Sequence, residues 1–396
     1  MIEESGFASI TPEGLRLVVV PTDPISDYER DGLDWIEQYF NPGGMFAEVF
    51  AASPRETGQR RAHGMTIMGV TERGFRATLR ELRPHIVRAY GGFWPADLVV
   101  GNRVPGVPVV VSVHDTNPKL LHRSVAHADL VVCVSQAVAT CVQGIGTAPR
   151  RIRILPNRVD LDVFRPIREP DRLCTVAERF PPGRHILLVG RVDAQKNQDT
   201  LIRALALLPE DYAAVLVGRG DWGPYLELAE EVGVSQRCFW VESVPNSELP
   251  LWYSWCDCMC TPSRWEGFGI VFLEAAACGA PIVTSDIAPM NEFLTHGVSA
   301  YLVRDYEDPR AIARAIRRVC EDEAYRRALS QGAIQAAQPF DRRAVDRLEM
   351  AIYAEALRLR RWPMSWIRLS SAAHLARRAK SVPSRVARRV KRIVSA

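Results

Sequence analysis

The chain has 396 residues, the length of two ordinary domains rather than one. Apolar residues make up 47% and charged residues 24%, which excludes a disordered chain, a collagen-like repeat and a small disulfide scaffold. The net charge of +4 hides an asymmetry: from Arg358 to Ala396 there are 12 Lys or Arg and no Asp or Glu, so the rest of the chain carries −8.

An acidic body with a basic tail points to an anionic surface as the tail's partner. No run approaches 18 apolar residues, so no transmembrane helix is expected. The opening MIEESGFASI has acid where a signal peptide needs base, and the expected location is cytoplasmic. The nine cysteines are scattered, as reduced and mostly buried thiols are.

In chain order, the first predicted strand is Leu15 to Pro21 (LRLVVVP). A helical stretch, Arg73 to Leu82, precedes strands at Ile86 to Ala89, Val107 to Val113, Leu130 to Val134 and Ile152 to Leu155. These runs are apolar on both faces, as strands of a parallel sheet are. From Asp162 to Pro182 the pattern lapses into Pro and charge, which predicts an interdomain hinge. A second series follows. Strands are predicted at Ile186 to Val189, Ala213 to Val217, Cys238 to Val241, Cys256 to Thr261 and Pro281 to Thr284. Helices are predicted at Asp199 to Leu208, Trp222 to Val232, Ser247 to Ser254, Gly269 to Cys278 and Asp308 to Cys320, with a last one from Ala344 to Arg360. Alternating strands and helices imply two α/β, Rossmann-like domains facing each other across a cleft, with ligands at the carboxyl ends of their strands. The expected division is 1–165, 166–345, and a C-terminal helix with a basic amphipathic tail over 346–396.

The most specific motif lies in PSRWEGFGIVFLEAAACGAP, where Glu266 and Glu274 stand eight apart around Gly267-Phe268-Gly269. The glycines allow a tight turn that opens a helix, and backbone N–H groups at such an N-terminus bind phosphate. Glu274 then sits on the helix, placed to accept hydrogen bonds from sugar hydroxyls. The plainer alternative is a helix cap with two solvated acids. In VGRVDAQKNQD, a strand delivers Gly190, which permits close backbone approach to a ligand, and Arg191 and Lys196 place two cations beside the cleft. A departing diphosphate needs such charge; the alternative is a solvated basic loop. His114 ends a first-domain strand, either reaching a sugar hydroxyl or capping a turn. Asn157 reads as a loop-holding residue. Cys256, Cys258 and Cys260 read as small core residues without zinc spacing. Gly218-Arg219-Gly220 is weak evidence for a dinucleotide. Asp160-Leu161-Asp162 reads as a turn.

Together these motifs resemble the GT-B glycosyltransferases, specifically the retaining family 4 (glycosyl transferases group 1), from about Leu15 to about Leu357 and most strongly from His185 to Val303. The resemblance implies a retaining transfer of a hexose-type sugar from a UDP- or GDP-sugar donor. It implies that Arg191 and Lys196 neutralise the donor diphosphate, that Glu274 holds the ribose and that Glu266 lies near the transferred sugar. Gly190 is then the close-approach glycine. The backbone from Gly267 through Phe268 and Gly269 to Ile270 lines sugar and phosphate, His114 contacts the sugar, and Val244 meets the base. No cofactor or metal is implied. There are departures. PTDPISDYERDG lacks the paired glycines often found after the first strand, the nearest pair being Gly43-Gly44. Arg158 stands where Gly is common, and Gln195 where Glu is common.

In the tail, AHLARRAKSVPSRVARRVKRIV alternates basic and apolar residues beyond Trp362 and Trp366. Such segments lie on anionic membrane surfaces, which implies a peripheral protein at the cytoplasmic face of the membrane. A solvated tail or nucleic-acid binding is the alternative, and no nucleic acid is expected. The expected acceptor is a lipid-linked saccharide or a cell-surface polysaccharide precursor. A GT-B nucleotide-sugar epimerase and a non-catalytic sugar-nucleotide-binding protein are the other readings.

Overall fold

The computed structural model describes residues 14–30 and 36–359, so the predicted basic tail from 360 onward lies outside the described residues. The chain divides into two compact units. The first holds the described residues of Met1–Cys133, Val138–Ile154 and Asp346–Ala396, and the second holds Val134–Ala137 and Leu155–Val345. Residues 155–165 thus pack with the second unit, and the chain from Asp346 returns to the first.

The first unit is built on eight strands: β1 (Arg16–Val20), β2 (Glu48–Ser53), β3 (Gln59–Ala62), β4 (Met65–Gly69), β5 (Ile86–Tyr90), β6 (Val109–Val113), β7 (Leu130–Cys133) and β8 (Ile152–Ile154). Their order is β3-β4-β2-β1-β5-β6-β7-β8, parallel throughout except for the β3–β4 pair. Strands β1, β5, β6 and β7 are Val/Ile-rich and buried almost to the last residue, which is why they are visible as continuous apolar runs. Strand β3 reads QRRA and is mostly exposed; its antiparallel pairing to β4, not its composition, makes it a strand.

The C-terminal helix Arg342–Arg358 is tied into this unit by buried charge. Arg88 on β5 forms an ion pair with Glu349, the two side chains 3% and 1% exposed. The Arg88 guanidinium also donates to Tyr353 Oη (2.7 Å) and Ser112 Oγ (2.9 Å) and lies over the Tyr90 ring at 4.5 Å. Nε and Nη1 of this buried guanidinium are thereby met by a carboxylate and two hydroxyls, the kind of partners a buried charge requires.

The second unit carries β9 (Arg184–Val189), β10 (Tyr212–Val217), β11 (Cys238–Val241), β12 (Cys258–Thr261), β13 (Ile282–Ser285) and β14 (Tyr301–Val303). Their order is β11-β10-β9-β12-β13-β14, all parallel. Counted within the unit this is 3-2-1-4-5-6, the doubly wound Rossmann order. Helices Gln198–Leu205 and Pro309–Glu321 cover its core of Ile186, Leu188, Leu201, Ile202, Leu216 and Ile316. Cys258 and Cys260 lie in that core. Cys256 caps the end of the preceding helix rather than opening the strand, because the chain turns at the helix end first.

One prediction is corrected outright. The stretch 162–182 is not all linker, because Pro170–Ala177 forms a helix with Pro at its first turn, where the missing N–H costs nothing. Among the described residues no helix is long and apolar enough to cross a membrane.

Candidate functional site

Strand β9 is the first of its unit, and the chain moves away from it to opposite sides, to β10 and later to β12. The gap between β9 and β12 at their carboxyl ends is the topological switch point, where open α/β sheets bind ligands. The loop leaving β9 carries Gly190, Arg191, Gln195 and Lys196, and the loop leaving β12 carries Ser263 to Gly269. The two most specific motifs of the sequence thus flank one crevice.

The centre of this site is Glu266, only 4% exposed. Lys196 Nζ donates to its Oε1 at 2.6 Å, and Ser263 Oγ to the same oxygen at 2.8 Å. Gln195 Nε2 donates to Oε2 at 3.0 Å, and Gln195 Oε1 in turn accepts from Arg191 Nη2 at 3.1 Å. A buried carboxylate is stable only with such partners, so Glu266 and Lys196 hold each other. Arg191, by contrast, leaves 74% of its side chain exposed, with Asp193 at 3.5 Å.

The glycine after β9 acts on this pair. A Cβ at Gly190 would lie 2.9 Å from Lys196 Cε and 3.1 Å from Cδ. The absent side chain is the passage through which the Lys196 stem reaches Glu266. The loop itself is held from outside. The Arg264 guanidinium takes both oxygens of Asp199 (3.1 and 2.8 Å), Glu307 (3.0 Å) and the Ala194 carbonyl (2.8 Å). Asn197, fully buried, donates to the Pro262 carbonyl at 2.8 Å, joining the β9 loop to the β12 loop.

Gly269, at φ 82°, turns the chain into helix Ile270–Ala277. A side chain there would meet Met290 and Phe272 at 2.7 Å, so the tight turn needs glycine. The Gly267 carbonyl accepts from Ser135 Oγ at 2.8 Å. Phe268 points inward: its ring stacks on Phe293 at 5.3 Å and meets Phe340 edge-on, which leaves only its backbone for a ligand. Ile270, the first helical residue, is 39% exposed.

Glu274 lies one turn into that helix and is buried. Its Oε2 accepts from the Tyr253 hydroxyl at 3.1 Å, and Tyr253 is fully buried. Burial pushes the Glu274 carboxyl up to about 7, while the Tyr253 hydrogen bond pulls the other way. Val244 stands half-buried between β11 and helix Leu249–Trp255. His114 belongs to the first unit. It follows β6, half-buried, with its ring stacked on Tyr90 at 6.2 Å.

Sequence reasoning missed Gln195 as a partner of Glu266, Ser263, Arg264 and Tyr253. Only Ser263 had a signal, standing three residues before Glu266. The others act across up to 71 residues of sequence and have no local signature. Among the described residues no group of three or more His, Cys, Asp or Glu could hold a metal ion. Asp160 Oδ1 accepts the Asp162 N–H at 3.0 Å, which is a turn.

The comparisons with known proteins agree with this architecture. The family model for glycosyl transferases group 1 matches residues 177–336, and that for glycosyltransferase family 4 matches residues 48–163. The chain is 34% identical over 249 residues to a D-inositol 3-phosphate glycosyltransferase 1 of Catenulispora acidiphila, covering 59% of each. It is 33% identical over 221 residues to a GDP-mannose-dependent alpha-(1-6)-phosphatidylinositol monomannoside mannosyltransferase of Mycolicibacterium smegmatis, covering 52% of this chain and 56% of the relative. The match thus spans less than two thirds of either relative's length. Among solved structures, Anabaena Alr3699/HepE in complex with UDP-glucose shares the fold with a TM-score of 0.71 at 18% identity, covering 86% of this chain and 99% of that one. WaaG, a glycosyltransferase involved in lipopolysaccharide biosynthesis, does so with a TM-score of 0.66 at 17% identity, covering 85% and 99%. With both family models matched in tandem, one on each Rossmann-like unit, the chain belongs to the group 1, family 4 glycosyltransferases of the GT-B fold.

Proposed function

We propose that the chain is a retaining glycosyltransferase that moves a hexose-type sugar from a nucleotide diphosphate to a lipid-linked saccharide or polysaccharide precursor. The observation that carries this reading is the Lys196–Glu266 pair at the β9/β12 switch point, beside an exposed Arg191 and the glycine turn into helix Ile270–Ala277. A nucleotide-sugar donor needs cations for its phosphates, hydroxyl acceptors for its ribose and a carboxylate near its sugar, and these lie together in one unit. The named relatives support the donor class, one being GDP-mannose-dependent and one structural neighbour holding UDP-glucose.

In this mechanism Arg191 and Lys196 meet the charge that develops on the departing diphosphate, so side chains rather than a metal supply the cations. Backbone groups from Gly267 to Ile270 line the sugar and phosphates, Glu274 accepts from the ribose, and Val244 meets the base. Glu266 contacts the transferred sugar, with Lys196, Ser263 and Gln195 fixing its orientation. The acceptor hydroxyl attacks on the face the diphosphate leaves, so the anomeric configuration is retained. The basic tail, each cation worth roughly 1 kcal/mol near an anionic surface, brings the enzyme to the cytoplasmic face of the membrane.

The test is donor-dependent nucleoside diphosphate release from UDP-glucose, UDP-galactose, UDP-N-acetylglucosamine and GDP-mannose, with and without total membrane lipid extract. Release from one donor, accelerated by the extract and lost in Glu274→Ala, is the expected result. Full release in Glu274→Ala would sink the proposal.

A further inference from the structure

Glu274 presents two oxygens, and they are not equivalent. Oε2 accepts from the Tyr253 hydroxyl at 3.1 Å, and among the described residues Oε1 takes no hydrogen bond. Tyr253 lies in helix Leu249–Trp255, 21 residues earlier in the chain, and is fully buried. Its ring is therefore fixed by packing on all sides, while its hydroxyl meets a carboxylate. A buried tyrosine with no water contact needs a hydrogen-bond acceptor, but a backbone carbonyl would serve. Here the acceptor is the side chain that the proposed function assigns to the donor ribose.

We propose that Tyr253 is a positioning residue for nucleotide recognition: its hydroxyl occupies Oε2, fixes the carboxylate plane and leaves Oε1 as the acceptor for a ribose hydroxyl. This rests on the reading of Glu274 as the ribose-holding carboxylate. The arrangement turns a group with several lone-pair directions into one with a single direction, so little rotamer freedom is lost when nucleotide binds. It also keeps the carboxylate competent. An ionised oxygen is the stronger acceptor, burial favours the protonated form, and the Tyr253 hydroxyl opposes burial. The titratable groups facing this pair are the Cys278 thiol at the end of the Glu274 helix and the Cys256 thiol at the end of the Tyr253 helix; both are pushed up by burial, and Cys278 also by the charge of Glu274.

The experiment titrates UDP and GDP into the full-length wild type, Tyr253→Phe and Glu274→Gln by calorimetry from pH 6 to 9. In Tyr253→Phe the Kd of the nucleotide that the wild type binds rises about three- to tenfold at pH 7, the size of one typical intramolecular hydrogen bond. The midpoint of its pH dependence moves to higher pH, and the gap narrows by pH 9. A purely structural tyrosine would weaken binding equally at every pH. An unchanged Kd and midpoint in a folded Tyr253→Phe, with binding lost in Glu274→Gln, would overturn the proposal and leave the ribose reading standing. Unchanged binding in Glu274→Gln, or a wild type that binds neither nucleotide, would overturn the ribose reading and Tyr253 with it. Tyr253→Met repeats the test with different packing, and thermal unfolding checks that each variant is folded.

Discussion

Lys196 reaches Glu266 by running its methylene stem across Gly190, so that its ammonium stands 2.6 Å from Oε1 with only 9% of the side chain exposed. Two residues 70 positions apart in sequence thereby become one charged unit, and the glycine between strand and loop makes room for it. Arg191 is the exposed cation of the site, Lys196 the buried one.

The passage at Gly190 makes Gly190→Ala a test of placement rather than of charge. An added Cβ would crowd Lys196 Cε at 2.9 Å and Cγ at 3.2 Å. The flexible stem yields and the ammonium leaves Glu266; because Gly190 also sits at φ 157°, which strains an L side chain, thermal unfolding of the variant is read beside its activity. Nucleoside diphosphate release from the active donor falls about tenfold or more, because a displacement on the order of 1 Å is costly in an oriented site. An unaltered rate would show that the position of Lys196 does not matter to the reaction.

The same pair predicts a non-additive stability cycle. Lys196→Met leaves a buried carboxylate with two neutral donors and costs about 3 kcal/mol in urea unfolding. Glu266→Gln costs a similar amount by stranding the ammonium. The double variant Lys196→Met/Glu266→Gln buries no charge and recovers most of either loss. Simple addition of the two costs would mean that the side chains do not depend on each other.

Glu274 trades stability for function. A carboxyl whose proton is held more tightly in the fold than in the unfolded chain gives stability that is complete below its ordinary value of 4.5 and is lost as pH rises through about 7. The loss amounts to about 3 kcal/mol. Glu274→Gln keeps an acceptor for Tyr253 and carries no charge. The variant therefore unfolds at a higher temperature than wild type at pH 8, matches it near pH 5 and loses nucleotide binding. A variant less stable than wild type at pH 8 would mean that the carboxylate is compensated in the fold by something other than Tyr253.

How much of this was legible in the sequence follows from range. Strands β5, β6, β7, β9 and β10 are buried on both faces, so their apolar runs announce them. Strands β2, β3 and β4 are partly exposed, and QRRA in β3 carries no strand signal. The helix Pro170–Ala177 hides in a segment whose prolines suggest a linker, because proline at a helix start looks like proline in a loop. In the site, Arg191, Lys196, Glu266 and Glu274 are legible from glycine-flanked motifs at strand ends. That Lys196 and Glu266 pair, that Gln195 joins Arg191 to Glu266, and that Tyr253 holds Glu274 are consequences of which strands become neighbours. No local pattern encodes them.

The first unit carries its own buried charge, and it predicts how the C-terminal helix is held. Arg88 and Glu349 are 3% and 1% exposed, and Tyr353 and Ser112 also accept from the guanidinium. Removing one partner strands the other, so Arg88→Met and Glu349→Gln each destabilise the first unit by about 3 to 5 kcal/mol. The loss is local first. Amide exchange across Arg342–Arg358 accelerates before exchange in β6, since the ion pair joins the helix to the sheet whereas β6 keeps its strand ladder on both sides. Replacing both by Met removes the desolvation cost of two charges and recovers much of the loss, with the Tyr353 hydroxyl left to seek another partner. If the single variants exchange as slowly as wild type over this helix, its attachment rests on apolar contacts such as Phe46 against Tyr353, at 5.0 Å, and the buried pair contributes only specificity.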